Sequence, residues 1–138
     1  MKKGLDALRA PVYGIIDPAR RVLRYSNAGH PHAFRVEPEG DPVRLMATDP
    51  PIGIAGPASY NEEIREWNSG DLMFLFTDGL SDTLATEERG TGERLVLKTI
   101  SEHRTNSPEQ IVNHLFQLAE DAAPHIPSDD RTAIVLRT

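Results

Sequence analysis

The chain has no cysteine, which excludes disulfide frameworks, zinc–thiolate sites and thiol nucleophiles together. No apolar run approaches the length of a membrane span. The basic start Met1-Lys2-Lys3 is followed by no apolar block, so no signal peptide is read and a soluble, cytoplasmic protein is expected, with no membrane partner. Positive charge is in deficit: 15 Lys and Arg against 21 Asp and Glu leave a net charge of −6, which argues against broad binding to nucleic-acid phosphates. Aromatic residues are scarce, at 6%, although 138 residues can bury a real core in one domain and are too few for two of ordinary size. There is no P-loop and no serine-centred nucleophile elbow. His32, His103, His114 and His125 have no spacing that suggests a zinc site.

What the chain does have is Leu72-Met73-Phe74-Leu75-Phe76-Thr77-Asp78-Gly79. A short, continuous run of large apolar residues reads as a strand buried on both faces. It ends abruptly in a carboxylate and a glycine. A second such element comes late and in reverse order, with Asp129-Asp130 ahead of the strand-like run Thr132-Ala133-Ile134-Val135-Leu136. If the two strands are neighbours, Asp78 and Asp129 face one another across a small gap. Two carboxylates on rigid strand ends suit a hard divalent metal.

The rest of the pattern predicts an α+β fold with a mainly antiparallel sheet. Residues 12–16 and 22–27 are β-prone and flank Asp17-Pro18-Ala19-Arg20, a hairpin turn. A short strand is expected at 33–36 and a weak one at 43–46. Residues 47–58 form an irregular, Pro- and Gly-rich loop. Residues 60–67 suit a half-exposed strand, which the turn Asn68-Ser69-Gly70-Asp71 joins to the buried strand as a second hairpin, with Trp67 and Phe74 in the core. Leu95, Val96, Thr99 and Ile100 recur at helical spacing. Ser107-Pro108-Glu109-Gln110 has the form of a helix start, with Ser as cap and Gln three residues later. Ile111, Leu115, Leu118 and Ala122 then mark one apolar face, and Pro124 and Pro127 end that helix. His103 and His114 are expected on helix surfaces.

Each candidate residue also has a plain structural explanation. Asp-Gly is a common turn pair, Ser128-Asp129-Asp130 can be a solvated turn, and a lone loop histidine such as His30 is ordinarily a surface hydrogen-bonding residue. Asp82 could join the acidic cluster but is expected to be exposed. Gly29 allows an unusual backbone angle beside Asn27 and His30. The adjacent Asp129 and Asp130 need compensating positive charge, from a metal, from Arg131 or from solvent. Phosphoacceptor readings of Asp78 fall on order: the Asp-x-Asp of a dehalogenase-type site is missing, and the acidic pair follows the strand instead of preceding it as in a receiver.

Taken together, Tyr13-Gly14, Leu23-Arg24-Tyr25-Ser26-Asn27-Ala28-Gly29-His30-Pro31, Pro51-Ile52-Gly53-Ile54, Ser69-Gly70-Asp71, Phe76-Thr77-Asp78-Gly79 and Asp129-Asp130-Arg131-Thr132 form an ordered set. The set resembles the metal-dependent protein phosphatases related to protein phosphatase 2C, in their SpoIIE/RsbU branch. The resemblance covers residues 11–138; residues 1–10 form a leader outside the pattern. It implies an incomplete four-layer α-β-β-α sandwich with two helices in the C-terminal half. The family's upstream Gly-Asp-x-x-Gly-His-Gly type motif has no match, so the chain resembles the C-terminal part of the domain.

By this resemblance Asp78 and Asp129 are ligands of Mn²⁺ or Mg²⁺, of which the complete domain holds two, and Gly79, Asp130, Asn27 and His30 support the site. The activity implied is hydrolysis of a phosphoserine or phosphothreonine in a protein regulator such as an anti-sigma-factor antagonist, with the isolated chain weak or inactive. The alternative is a catalytically inactive regulatory or binding module that keeps the fold. Surface left uncovered by a half-domain predicts a homodimer.

Overall fold

A computed structural model describes residues 10–53, 59–123 and 130–138. The elements in order are β1 (Val12–Asp17), β2 (Val22–Asn27), β3 (Ala33–Val36), β4 (Val43–Arg44), β5 (Glu63–Glu66), β6 (Leu72–Phe76), α1 (Asp78–Leu84), α2 (Thr91–Glu102), α3 (Pro108–Ala122) and β7 (Ala133–Arg137). The strands form two sheets, ordered β1-β2-β5 and β4-β3-β6-β7. The chain divides into two compact units, Met1–Ala33 with Arg44–Ser69 and Phe34–Val43 with Gly70–Thr138.

In the first unit β1 and β2 make the expected hairpin, antiparallel from Val12↔Asn27 to Asp17↔Val22. The Arg20 amide donates to the Asp17 carboxylate at 3.0 Å and the Arg21 amide to the Pro18 carbonyl at 3.3 Å, which closes the turn. β5 pairs antiparallel with β2. Leu23, Tyr25 and Asn27 alternate along β2 on its buried face, while Arg24 between them is exposed, the period-two pattern of a sheet with one wet side.

The second hairpin expected from the sequence does not form. β5 pairs with β2 and β6 with β7, from Leu72↔Arg137 to Phe76↔Ala133. The reason lies in burial. β6 is buried at Leu72, Met73, Phe74 and Phe76 and takes an inner position between β3 and β7. Ile64, Arg65 and Glu66 of β5 are exposed, which suits a sheet edge. The turn at 68–71 therefore leads from one sheet into the other.

The core of the second unit packs Phe34, Val36, Leu72, Phe74 and Phe76 of the sheet against Leu80 and Leu84 of α1, Val96 and Ile100 of α2, and Ile111, Leu115 and Ala119 of α3. Burying each of the large side chains stabilises the fold by roughly 1.5–3 kcal/mol. The capping box of α3 is complete: the Gln110 amide donates to Ser107 Oγ at 3.2 Å, and the Ser107 amide donates to Gln110 Oε1 at 3.0 Å. The apolar stripe of α3 runs through Ala119, while Ala122 is exposed, because positions four apart stack on one face. α3 stops at Ala122; Pro124 and Pro127 lie outside the described residues.

A third helix, α1, joins the two expected ones. Gly79, Ser81 and Thr83 give it weak intrinsic propensity. Its hold on the fold is the burial of Leu80 and Leu84, four residues apart on one face. α1 and α2 meet backbone to side at Gly92, where an added Cβ would lie 1.9 Å from the Ser81 carbonyl oxygen. His103 caps α2 and His114 lies exposed on α3, with ring centroids 3.9 Å apart.

Candidate functional site

β6 delivers its terminal residues from a fully packed strand. Phe76 is 1% exposed; Thr77 follows as the N-cap of α1, and Asp78, in its first turn, is exposed. The carboxylate thus stands at the boundary between core and solvent, on a backbone that the strand and the helix both fix. A negative charge in the first turn also suits the helix dipole.

Opposite it, the approach to β7 is stitched to the same point. The Thr77 amide donates to the Thr132 carbonyl at 3.0 Å, which continues the β6–β7 ladder. The Thr77 hydroxyl donates to the Asp130 carbonyl at 3.1 Å and accepts from the Thr132 amide at 3.0 Å. A threonine at an N-cap ordinarily satisfies its own helix. Here the side chain makes no capping bond and is spent on the incoming strand instead. Gly79 completes the approach: a Cβ there would sit 2.2 Å from the Asp130 carbonyl oxygen and 2.9 Å from its carbon, so only glycine allows the two backbones to meet.

Further back, the Thr83 hydroxyl donates to the Gly79 carbonyl at 2.7 Å and accepts from Arg131 Nε at 3.1 Å. Another guanidinium nitrogen, Nη1, lies 3.6 Å from Glu120 Oε2 of α3. Asp78, Gly79 and Asp130 are therefore brought to one place in the second unit. Asp130 is exposed and engages through its main-chain carbonyl. Asp129 lies outside the described residues. Asp82 is exposed, as expected.

In the first unit Asn27 and His30 are joined. Asn27 is fully buried. Its Nδ2 donates to the carbonyls of His30 and Leu45, both at 2.9 Å, and its Oδ1 accepts from the His30 amide at 2.7 Å. Gly29 between them has φ +90, and a Cβ there would meet Pro51 Cγ at 2.7 Å. These contacts make Asn27 the organiser of the loop. The His30 ring meets His32 edge-on at 6.3 Å.

Sequence reasoning missed Thr77, Thr83 and the burial of Arg131. The signals were a hydroxyl just after the strand end and another in the last turn of the helix that follows, both positions where a threonine ordinarily faces solvent. It also took Ser69-Gly70-Asp71 as a motif without finding its partner. Asp71 is fully buried, accepts from Arg35 Nε at 2.8 Å and has Nη2 of the same guanidinium 2.7 Å away, so this aspartate is held inside the fold by an ion pair.

Among the described residues, no three His, Asp or Glu side chains are grouped closely enough to hold a metal ion. The donors present are nevertheless of the kind Mg²⁺ and Mn²⁺ prefer: the Asp78 carboxylate, and a carbonyl and carboxylate at Asp130. The space left by the missing Cβ of Gly79 admits the Asp130 carbonyl oxygen to the turn that carries Asp78. Hard ions of this type take one or two carboxylates and keep several waters.

Residues 9–138 match the model of the family described as Stage II sporulation protein E (SpoIIE). The chain is similar to phosphoserine phosphatase RsbU of Bacillus subtilis (strain 168), with 30% identity over 120 residues, 86% of this chain and 35% of that protein. It is similar to phosphoserine phosphatase RsbP of the same strain, with 35% identity over 75 residues, 54% of this chain and 19% of that protein. The fold is similar to the phosphatase domain of the cell-fate determinant SpoIIE from Bacillus subtilis in a Mn-presoaked structure, with TM-score 0.70 and 20% identity, covering 93% of this chain and 55% of that one. The chain spans 35% or less of the length of either curated relative.

Proposed function

The chain belongs to the SpoIIE family, and from that premise we propose that it carries part of a metal-dependent phosphoserine/phosphothreonine protein phosphatase. Asp78 and Asp129 are its metal ligands in this reading, for Mn²⁺ or Mg²⁺, and Asp130 supports them. The substrate is a phosphorylated protein regulator of the anti-sigma-factor antagonist kind. The observation that carries the reading is the clasp between the Asp78-Gly79 turn and the Asp130-Arg131-Thr132 segment, made by Thr77 and by the open side of Gly79. It joins two acidic motifs from distant parts of the chain at one strand end.

A bound divalent ion would supply charge neutralisation and Lewis-acid polarisation to a phosphoryl group. The chain's own contribution is placement. The buried end of β6 and the first turn of α1 fix the Asp78 backbone, so the point from which its carboxylate projects is set before any ion arrives. Gly79 and Thr77 keep the facing segment at contact distance. Among the described residues, no helix is long and apolar enough to cross a membrane.

The same proposal includes a homodimer. Tyr13, Ile15 and Ile64 are 68%, 45% and 61% exposed, and the registers Ile15↔Arg24 and Arg24↔Ile64 set the two isoleucines on one sheet face. Arg24 stands between them on that face, and exposed isoleucines flanking a charged residue invite a second copy.

The metal assignment is tested by titrating the chain with Mn²⁺ in a calorimeter, beside Asp78→Asn and Asp129→Asn. Binding by the wild type that either substitution abolishes supports the reading; silent traces from all three refute it.

A further inference from the structure

An arginine beside a proposed phosphate site is ordinarily read as a phosphate contact, because its planar fork matches phosphate oxygens. Arg131 follows the Asp129-Asp130 pair directly, yet it is not available for that work. Its side chain is 5% exposed. Its Nε donates to Thr83 Oγ1 at 3.1 Å, and its Nη1 stands 3.6 Å from Glu120 Oε2. The guanidinium therefore ties the start of β7 to both α1 and α3. Glu120 is 62% exposed, so solvent screens that ion pair. Burial and the Thr83 contact are the stronger part of the anchor.

Thr83 is no passive acceptor. Its hydroxyl proton is committed to the Gly79 carbonyl at 2.7 Å, which leaves its lone pairs for Arg131. Gly79 is the residue whose missing Cβ admits the Asp130 carbonyl, and Asp130 is bonded to Arg131 along the backbone. The contacts close a ring: Gly79, Thr83, Arg131, Asp130 and Gly79 again. Thr77 braces the same ring from the strand side.

We infer that Arg131 is a positioning residue, buried between Thr83 and Glu120 to hold Asp130 against the Asp78-Gly79 turn. Its role is to set where the Asp130 segment meets that turn, with no contact to substrate. This inference rests on the metal-site reading proposed above, and the test separates the two.

The 138-residue chain and its Arg131→Met, Arg131→Lys and Thr83→Val variants are compared by Mn²⁺ titration and by amide hydrogen exchange. Arg131→Met is expected to weaken Mn²⁺ binding by roughly 10- to 100-fold, the usual effect of removing a group that orients a ligand. It is also expected to speed exchange of the Thr132 amide, while amides of β7 paired with β6 keep their protection. Arg131→Lys recovers part of both effects. Thr83→Val keeps the arginine and moves both readouts the same way by a smaller factor; it carries the test if Arg131→Met does not fold. Wild-type Mn²⁺ affinity in Arg131→Met overturns the inference, as does unchanged Thr132 exchange in both Arg131→Met and Thr83→Val. A wild-type chain that takes up no Mn²⁺ sinks the proposed function, and the exchange data then decide the placement by themselves.

Discussion

The hydroxyl of Thr77 donates to the carbonyl of Asp130 at 3.1 Å, across 53 positions of sequence. The same oxygen accepts from the Thr132 amide at 3.0 Å. One side chain thus satisfies two main-chain groups where a strand ladder gives way to a turn. Thr77→Val keeps the shape and removes both bonds, so it should cost about 1–3 kcal/mol, the penalty of leaving main-chain groups without their partner. Thr77→Ser should retain most of the stability. Urea unfolding of the three proteins measures the difference, and equal midpoints for Thr77→Val and the wild type would refute the assignment.

Gly79 and Gly92 both lie in helices, where alanine would ordinarily stabilise by up to about 1 kcal/mol. Both should do the reverse. A Cβ at Gly79 would meet the Asp130 carbonyl oxygen at 2.2 Å, and one at Gly92 would meet the Ser81 carbonyl oxygen at 1.9 Å. Each alanine should destabilise by roughly 1–3 kcal/mol, as overpacking does. Only Gly79→Ala should also weaken Mn²⁺ binding, because only that clash pushes on the acidic segment. Calorimetry of both variants, each studied below its unfolding midpoint, distinguishes local from global damage.

The Asp71–Arg35 pair should behave as a unit. Asp71 is fully buried and Arg35 is 11% exposed at its side chain, so truncating one partner leaves a charge with little solvent. Asp71→Ala alone is expected to cost about 3–5 kcal/mol. The double variant Asp71→Ala/Arg35→Met should cost less than the sum of the two single changes. Additive losses in a double-mutant cycle would show that the pair is not coupled.

Burial pushes the phenol of Tyr25 above its ordinary pKa; Arg65 opposes the shift and Glu63 adds to it. The folded state therefore holds the phenolic proton more tightly than the unfolded chain does. Tyr25 contributes its full stability below the ordinary tyrosine pKa of about 10, and that contribution is lost as pH rises through the raised value. Tyr25→Phe forfeits the 3.3 Å bond to the Met46 carbonyl, about 1 kcal/mol, but should lose less stability than the wild type between neutral pH and pH above about 10. Thermal unfolding of both proteins along that range tests the sign.

Self-association should run through the open face of the first sheet. Light scattering at rising concentration is expected to give a dimer mass for the wild type and a lower mass for Ile64→Asp. A monomer mass at high concentration for the wild type would remove the homodimer from the proposal.

Much of this was legible in the residues. The unbroken apolar run at 72–76 required an inner strand, and the Ser107-Pro108-Glu109-Gln110 signature set the start of α3 to the residue. The matching acidic end raised β7 as a neighbour of that inner strand, and β7 does pair with β6. The pairing of β5 was misread because turn chemistry at 68–71 is local, whereas the choice of partner depends on which sheet can bury the strand. α1 was missed for a related reason: Asp78-Gly79 is a turn signal, and only tertiary burial of Leu80 and Leu84 turns it into a helix. Asn27 and His30 were named only as supporting residues beside Gly29; nothing in their spacing revealed that the Asn27 side chain holds the His30 main chain and Leu45 as well.

The pairing of Phe76 with Ala133 has a bearing on how the molecule comes together. β6 cannot complete its ladder until all three helices have been threaded past it, so the closure spans a long loop and is entropically dear. Helices fold early and such distant strand pairings late. The aspartate turn after β6 is therefore expected to take its final shape only when β7 docks against it.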